Sequence, residues 1–296
     1  KSFKLKAILA DSWKSIEYSY VHKIKTVVLA HGTEIPKQYW SKVLNILRFK
    51  KKRIVSAYKN SDHIVANSNY TKDLMQESLN ISNEKIHVIH PGIDIYEDFI
   101  SIEDEIKIKK VINGKSPVIT TLARVEKRKG HKFILNALSE VKKEFPNIMY
   151  LIAGQGPYLE EIKSYSKKLG LEKHIQFLGW ITEPEKSLIL KNSDLFVMTP
   201  NIVGESVEGF GMSFIDASFH GVASVGTNSG GISDAIIDNE TGLLCEAENQ
   251  KDITNKILSL LKDEKKRNQL GINGKNRALE FFSWKNKINE FLEIIN

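Results

Sequence analysis

Two carboxylates stand eight residues apart around a short glycine turn. Glu208 precedes the turn Gly209-Phe210-Gly211, and Asp216 follows it. Carboxylates accept hydrogen bonds from hydroxyl groups, and the main-chain N–H groups of a turn that opens a helix bind phosphate. The pattern therefore predicts a site for a phosphorylated sugar. Taken alone, either acid is more typical of a helix start or an exposed surface.

The spacing of the two acids argues against a glycosidase. If the residues between them are helical, eight positions advance about 12 Å along the helix axis. The paired carboxylates of a retaining glycosidase stand about 5 Å apart. We therefore expect Glu208 and Asp216 to hold two ends of one extended ligand.

Other residues of the chain could bind an anion. Arg124 and Lys129 follow a predicted strand in the segment RVEKRKGHK, and Gly230-Gly231 forms a turn before another short helix. Helix N-termini at both places add positive potential. Two cations could stabilise a diphosphate leaving group without a metal. His31 ends a strand and precedes a glycine, which places an imidazole at the cleft. A basic surface loop and a structural histidine are the alternative interpretations.

Alternating strands and helices must position these residues. Strands are predicted at 6–10, 26–31, 63–66, 85–90, 118–122, 149–153, 175–178, 195–198, 223–226 and 242–245. Helices between them predict parallel βαβ units and doubly wound sheets, whose ligands bind beyond the carboxyl ends of the strands. A charged connection with a short helix is predicted over 93–115, and a helical tail over 252–296 with breaks near Gly271–Gly274 and at Ser283.

Size and composition restrict the class of protein. A chain of 296 residues is long enough for two α/β domains, and 41% apolar with 27% charged residues is ordinary for a soluble protein. The single cysteine, Cys245, excludes an internal disulfide and fits a reducing compartment. No run of residues has the length of a membrane-spanning helix, and no signal-peptide pattern opens the chain. We expect a cytoplasmic protein.

The net charge of +7 is concentrated in one segment, because residues 37–59 contain eight lysines and arginines and no acid. Apolar residues recur in this segment at close to helical spacing. One interpretation is a solvated helix that covers a sheet with its basic face outward. The other is contact with an anionic membrane surface. Nucleic acid is not expected, since no aromatic stacking platform or base-reading motif accompanies the charge.

The motifs, in this order, resemble those of family 4 glycosyltransferases, the large retaining group with the GT-B fold. The resemblance rests on AHGTE (30–34), IHPGID (89–94), LARVEKRKGHKFILNAL (122–138), LIAGQGPYLEEI (151–162), IQFLGWI (175–181), SDLFVMTP (193–200), EGFGMSFIDAS (208–218), GVASVGTNSGGISDAI (221–236) and TGLL (241–244). It implies an α/β fold of two doubly wound Rossmann-like domains that face a cleft. Residues 1–94, joined by a C-terminal helix at 283–296, would form the acceptor-side domain, and 95–282 the nucleotide-sugar domain.

The resemblance also implies roles around the donor phosphates. Arg124 and Lys129 would bind the diphosphate. Glu208 would be the first acid of the family's Glu-x7-Glu motif, placed against the donor sugar. The amides of Gly209–Gly211 would lie near that sugar and its phosphate.

Further roles follow for the nucleoside and the acceptor side. The residue at position 216 would contact the ribose hydroxyls. Gly179, Trp180 and Ile181 would lie beside the base. His31 would lie beside the donor phosphate and sugar, towards the acceptor.

The chain departs from the family pattern in two ways. Asp216 stands where the family usually has Glu, and although it is one methylene shorter it can still accept two hydroxyl bonds. In addition, nothing before Ala7 can be the first strand and glycine-rich loop that cover the donor phosphates. We expect the first third or so of the N-terminal domain to be missing.

The implied activity is retaining transfer of a hexose from a UDP or GDP donor to an acceptor hydroxyl, in cell-surface glycan or glycolipid biosynthesis. The donor is a substrate, and neither a cofactor nor a metal is expected. No Asp-x-Asp motif ends a strand, and Glu103-Asp104-Glu105 falls in the connection. The acceptor would be a sugar or lipid-linked molecule, reached from the inner membrane face. The alternatives are a phosphorylase, an epimerase, or a non-catalytic nucleotide-binding or scaffold protein.

Overall fold

Two parallel β-sheets organise the molecule. The computed structural model describes residues 5–17, 24–35, 45–94, 100–204 and 206–296. The first sheet has the strand order β1-β2-β3-β4, with every neighbouring pair parallel. Its strands are β1 Ala7–Ala10, β2 Lys25–Ala30, β3 His63–Ala66 and β4 Ile86–Val88.

The second sheet has six parallel strands in the order β10-β9-β8-β5-β6-β7. They are β5 Val118–Leu122, β6 Met149–Ala153, β7 Ile175–Gly179, β8 Leu195–Val197, β9 Ser224–Thr227 and β10 Gly242–Cys245. Strand β5 leads to β6 on one side of the sheet, whereas β8 lies on its other side. This reversal is the topological switch point at which doubly wound sheets bind ligands.

Helices cover the sheets and alternate with the strands, as predicted. They are α1 Trp13–Ile16, α2 Asn45–Asn60, α3 Asn69–Leu79, α4 Ile102–Ile112, α5 His131–Glu144, α6 Leu159–Lys168, α7 Glu183–Lys191, α8 Met212–Phe219, α9 Ile232–Ala235, α10 Gln250–Lys262, α11 Glu264–Phe281 and α12 Trp284–Ile295. Apolar residues of α5 and α10 form a buried cluster with one set of strand side chains, and residues of α7 and α8 form another. The predicted doubly wound α/β fold is confirmed.

The predicted break near Gly271–Gly274 is wrong, because α11 continues through both glycines. A Cβ atom on Gly271 would overlap the carbonyl oxygen of Gly221, and one on Gly274 would lie 3.2 Å from Ser218 Oγ. These glycines therefore allow α11 to lie close against α8 and the turn that follows it. The predicted break at Ser283 is confirmed, since its side chain accepts a hydrogen bond from Asn286 N and opens α12.

The last helix returns to the first sheet. Its residues share a small apolar cluster with strands of that sheet: Val27, Leu29, Val65, Ile89, Phe291, Ile294 and Ile295. Lys25 Nζ also donates to the carbonyl oxygen of Ile295 at 2.9 Å. Helix α12 thus covers a face of the first sheet, while the domain boundary between residues 94 and 95 stays a prediction.

The two segments that connect the sheets run side by side. Ile93 N donates to Phe282 O at 2.7 Å, and Trp284 N donates to Ile93 O at 3.2 Å. The ring of Trp284 lies directly against Gly92, where a Cβ would approach it to 2.7 Å. Residues 95–99 of the predicted connection lie outside the described residues.

The basic segment is helical where it is described. On α2 the side chains of Ile54, Ala57 and Tyr58 are buried, whereas Lys52 and Lys59 are exposed. Residues 37–44 of this segment lie outside the described part of the chain. Among the helices that the structure describes, none has the length and apolar character needed to cross a membrane.

Candidate active site

A cavity of about 640 Å³ opens at the carboxyl ends of the second sheet. It lies beside the loops that follow β5, β6 and β7 and the start of α8, and its size is usual for a small-molecule site. It brings together five residues that the sequence predicts for donor binding: Arg124, Gly179, Trp180, Ile181 and Asp216. The cavity is therefore the candidate nucleotide site.

Main-chain contacts hold the loops around the cavity. Gly154 N donates to Gly179 O at 2.7 Å, and a Cβ on Gly154 would overlap the carbonyl oxygen of Ala123. Gly179 adopts a positive φ of 66°, a conformation that favours glycine. Trp180 follows at the cavity rim with 82% of its surface exposed. The indole is thus free to stack on a planar base.

Glu208 lies in a cluster of cations. Its Oε2 atom accepts from Lys129 Nζ at 2.5 Å and from an Arg128 guanidinium nitrogen at 2.8 Å. Lys129 is buried and only 13% of the Glu208 side chain is exposed, so water screens these pairs weakly. Arg128 was not predicted. Its only signal in the sequence was that it is one of four cations in the loop that contains Arg124 and Lys129.

Arg124 occupies a more exposed position. Its guanidinium contacts Glu126 at 3.2 Å, and 69% of its side chain is exposed. Glu126 also pairs with Arg128 at 3.0 Å. Arg124 and Lys129 therefore have no common ion-pair partner among the residues that the structure describes. They are linked through a network of charges in which Glu126 and Arg128 connect Arg124 to Glu208.

The glycine turn lies between Glu208 and α8. Gly211 has a φ of 101° and is the residue before the helix. Glu208 thus precedes the helix, while Asp216 lies on it. The rise of a helix therefore applies only to residues 212–216 and not to the whole interval from Glu208 to Asp216. The Phe210 ring is buried and stacks on His90 with the ring centroids 5.2 Å apart. Only the main chain of Phe210 is left for a donor contact.

Close main-chain approaches join this turn to its neighbours. A Cβ on Gly209 would overlap the carbonyl oxygen of His31, and one on Gly231 would overlap that of Gly209. A Cβ on Gly230 would overlap the carbonyl oxygen of Glu208. The loops of the two sheets therefore meet at this turn. The exposed imidazole of His31 itself pairs with the carbonyl oxygen of Asp11 at 2.9 Å.

Asp216 has a cationic partner inside the cavity. Lys186 Nζ lies 3.3 Å from Asp216 Oδ1 and 2.5 Å from Glu183 Oε2. Burial raises the pKa of Asp216, and the charge of Lys186 partly offsets that effect. Sequence reasoning missed Lys186, because a lysine near a helix start is normally a solvated surface charge.

Metal binding has no candidate cluster in the part of the chain that the structure describes. No group of three or more His, Cys, Asp or Glu side chains there is arranged to hold an ion. Metal-independent catalysis stays a prediction.

The fold, with its two parallel α/β sheets, is that of the GT-B class. The Anabaena protein Alr3699/HepE, solved with UDP and glucose, superposes with a TM-score of 0.82 at 20% identity, covering 98% of this chain and 77% of that one. A glycosyltransferase from Rickettsia africae ESF-5 superposes with a TM-score of 0.79 at 22% identity, covering 98% and 76%. These likenesses concern the fold.

Sequence comparison identifies the family. The model described as "Glycosyl transferases group 1" matches residues 102–277, more than half of the chain, and "Glycosyltransferase Family 4" matches residues 2–97. The chain belongs to the glycosyl transferases group 1 family, so the predicted family is confirmed. The phosphorylase, epimerase and scaffold alternatives are not favoured.

Two relatives illustrate the similarity. The GDP-mannose-dependent alpha-(1-6)-phosphatidylinositol monomannoside mannosyltransferase of Mycolicibacterium smegmatis is 27% identical over 275 residues, which are 92% of this chain and 70% of the relative. Alpha-1,3/1,6-mannosyltransferase ALG2 of Dictyostelium discoideum is 27% identical over 252 residues, 76% of this chain and 58% of the relative. The chain therefore spans only part of the length of each relative.

Proposed function

We propose that the chain carries the donor site of a retaining, metal-independent hexosyltransferase that uses a UDP- or GDP-sugar. The observation that carries the proposal is the cavity at the carboxyl ends of β5, β6 and β7, whose lining residue Arg124 belongs to the charge network that reaches Glu208. Five residues predicted for one ligand from distant parts of the sequence line this single cavity. Family membership supports the glycosyltransferase activity, and the mannosyltransferase relatives support a hexose donor.

The charges suit a diphosphate leaving group. Arg124, Arg128 and Lys129 supply three positive charges against the two carboxylates of Glu126 and Glu208. The excess positive charge attracts the donor diphosphate. It also stabilises the negative charge that develops as the bond to the sugar breaks. A metal ion would have the same task in other enzymes.

The contacts of Glu208 support a role at the sugar rather than in a covalent step. Two cations pair with its carboxylate, which lowers its nucleophilicity. We infer that its other oxygen accepts from a hydroxyl of the donor sugar beside Gly209 and His31. The departing phosphate then takes the proton of the acceptor hydroxyl on the same face of the sugar, which retains the configuration of the anomeric carbon.

Variants of the cationic loop test these roles. Lys129→Ala and Arg124→Ala should weaken donor binding and lower kcat, by about 100-fold or more where a charge contact to the transition state is lost. Lys132→Ala is the matched control, because Lys132 lies on the same stretch but pairs with Glu161 on an exposed surface. Unchanged kinetics in both active-site variants would refute the assignment.

The Glu208→Gln variant distinguishes a role of Glu208 at the donor sugar from a role at the nucleotide. This change keeps the shape of the side chain but weakens its contact with a sugar hydroxyl, so kcat should fall more than affinity for free UDP or GDP. Isothermal titration and steady-state kinetics measure the two quantities. Equal losses in both would contradict a role at the sugar.

The donor and the reaction class need a direct assay. UDP-, GDP- and ADP-sugars should be compared by thermal shift and by donor hydrolysis, since a bound ligand stabilises the folded state. We expect a UDP- or GDP-sugar to give both signals. Nucleotide binding with no release of nucleoside diphosphate would support a scaffold, and turnover with free phosphate would support a phosphorylase.

We also propose that α2 contacts an anionic membrane surface, where a lipid-linked acceptor would be found. Phe49 of α2 is 68% exposed, and the cations Lys52 and Lys59 are exposed on the same helix. An exposed aromatic ring among lysines is typical of helices that lie at lipid headgroups. Arg53 is less available, because it pairs with Glu17 at 2.6 Å.

Vesicle sedimentation tests the membrane contact. Lys51→Glu with Lys52→Glu should abolish binding to phosphatidylcholine vesicles that contain phosphatidylglycerol, and high salt should weaken the wild type. Lys167→Glu with Lys168→Glu is the control, since it makes the same charge change on the exposed end of α6. Equal binding by all variants would contradict the proposal.

A further inference from the structure

Lys186 is a cation inside the candidate nucleotide cavity, and the family resemblance implies no role for it. It lines the cavity with Asp216, Trp180 and Glu183. Only 22% of its side chain is exposed. Its ammonium group lies between two carboxylates, at 2.5 Å from Glu183 and 3.3 Å from Asp216. The position is therefore that of a potential ligand contact rather than of a solvated surface charge.

Local structure fixes where Lys186 lies. Thr182 opens α7 with a capping box: its side chain accepts from Glu185 N, and the Glu185 carboxylate accepts from Thr182 N. Glu185 also pairs with Lys107 of α4. Since α7 starts directly after the loop Gly179–Ile181, its first turn is held beside the predicted base site. This arrangement places Lys186 over Asp216 of α8.

Opposite charges attract the side chains of Lys186 and Asp216 to each other. Burial tends to lower the pKa of Lys186, but the carboxylates of Asp216 and Glu183 outweigh this effect and raise it. The lysine therefore stays protonated while it stabilises the half-buried carboxylate of Asp216. An ammonium group has three donors, and the two carboxylate contacts leave one of them for a ligand oxygen. Asp216 in turn keeps Oδ2 as an acceptor.

A vicinal diol matches this pair of groups. One hydroxyl can donate to Asp216 Oδ2 while the oxygen of its neighbour accepts from Lys186 Nζ. A single short carboxylate would need to reach both hydroxyls alone, and Asp216 is one methylene shorter than a glutamate. Lysine from the adjacent helix supplies the second contact.

We propose that Lys186 contacts one hydroxyl of the ribose diol of the donor nucleotide directly, beside Asp216, whose own ribose contact the family resemblance implies. The inference rests on the proposed function, because it takes a nucleoside diphosphate as the ligand of the cavity. It makes Lys186 a determinant of ribose over deoxyribose.

Nucleotide affinity tests the proposal. The dissociation constants of UDP, GDP and their 2′-deoxy and 3′-deoxy counterparts are measured by calorimetry. Loss of one hydrogen bond to a charged group should weaken binding of at least one deoxynucleotide to the wild type about tenfold. Lys186→Met should weaken UDP or GDP by a similar factor and remove the discrimination at that hydroxyl. Lys186→Arg should restore much of it.

Two further variants make the result specific. Lys191→Met changes an exposed lysine of the same helix and should leave all affinities unchanged. Asp216→Asn combined with Lys186→Met should lose less affinity than the sum of the single changes, because the two side chains bind one diol. Thermal unfolding of each variant verifies that the fold is intact.

The possible outcomes distinguish a failure of the Lys186 contact from a failure of the proposed function. If Lys186→Met weakens ribo- and deoxynucleotides by the same factor, or leaves both unchanged, the inference is overturned and the proposed function stands. If the wild type binds neither UDP nor GDP, the proposed function falls and takes this inference with it.

Discussion

His131 is the first residue of α5, two positions after Lys129, and is completely buried. Neither ring nitrogen has a hydrogen-bond partner among the residues that the structure describes. Burial, together with the nearby charge of Lys129, lowers the pKa of His131 to about 4. The imidazole is therefore neutral near pH 7.

The lowered pKa of His131 predicts acid sensitivity. The unfolded chain takes up a proton below the ordinary histidine pKa of about 6.5, whereas the folded protein does so only near 4, so stability falls as the pH drops through this window. The loss from pH 7 to pH 5 should be about 2 kcal/mol. Urea unfolding at both pH values measures it. His131→Leu should show a smaller pH dependence, and an identical one would contradict the prediction.

Glu208 and Asp216 have different surroundings despite their similar chemistry. Glu208 pairs with two cations of the loop that follows β5, whereas Asp216 of α8 pairs with Lys186 of α7. A carboxylate bound by two cations is suited to hold a hydroxyl without becoming a base. A half-buried carboxylate bound by one is suited to share a diol. Under the proposed function the two carboxylates would therefore serve different ends of the ligand.

Helix α11 shows how glycine can serve packing in the middle of a helix. Helix propensity alone favours alanine over glycine by about 1 kcal/mol. At position 271, however, a Cβ atom would overlap the carbonyl oxygen of Gly221. Main-chain atoms cannot move aside as a flexible side chain can.

Gly271→Ala should therefore destabilise the protein, by about 1–3 kcal/mol, because overpacking outweighs helix propensity. Asn276→Ala is the control on the exposed face of the same helix, where only a small change is expected. Thermal and urea unfolding measure both variants. A gain in stability for Gly271→Ala would show that the approach of α11 to the turn after α8 is looser than described.

A single carboxylate joins the two sheets of the molecule at the cleft. Asp234 Oδ2 accepts from Asn69 N at 2.6 Å, at the start of α3, and pairs with His90 Nε2 at 2.9 Å. His90 in turn stacks on Phe210, two residues after Glu208. Burial tends to raise the pKa of Asp234, but the hydrogen bonds from His90 and Asn69 outweigh it and hold the pKa below its ordinary value.

Asp234→Ala should lower the free energy of unfolding by about 1–3 kcal/mol, since it leaves the Asn69 amide and His90 without an acceptor. The Asp234 contribution should be complete above the ordinary aspartate pKa and disappear as the pH falls through its lower folded value. Comparison with Asp234→Asn over a pH series measures this. Asp73→Ala, an exposed acid of α3, is the control and should change stability little. No loss in Asp234→Ala would mean that the contact contributes nothing to the stability of the fold.

Most of the strand and helix pattern was predictable, because buried strands and amphipathic helices leave short-range periodicities in the chain. The motif order was equally readable, and it indicated the family before any contact was known. Gly271–Gly274 misled the prediction, since a glycine pair has the same appearance in a sequence whether it ends a helix or lets another segment approach. Ser283 was correctly placed because a cap acts within one turn of the chain.

Periodicity was thus sufficient for the fold class, and the order of the motifs for the family, while the region of the donor site stays a prediction. Tertiary structure alone decided which charges meet. Arg128 and Glu208 are 80 residues apart in sequence, Lys186 and Asp216 are 30 apart, and His90 and Asp234 are 144 apart. Their distances in space depend on the order of the strands and on how neighbouring helices pack. Local propensity determines neither the strand order nor the helix packing, so these pairs could not be predicted from the sequence pattern.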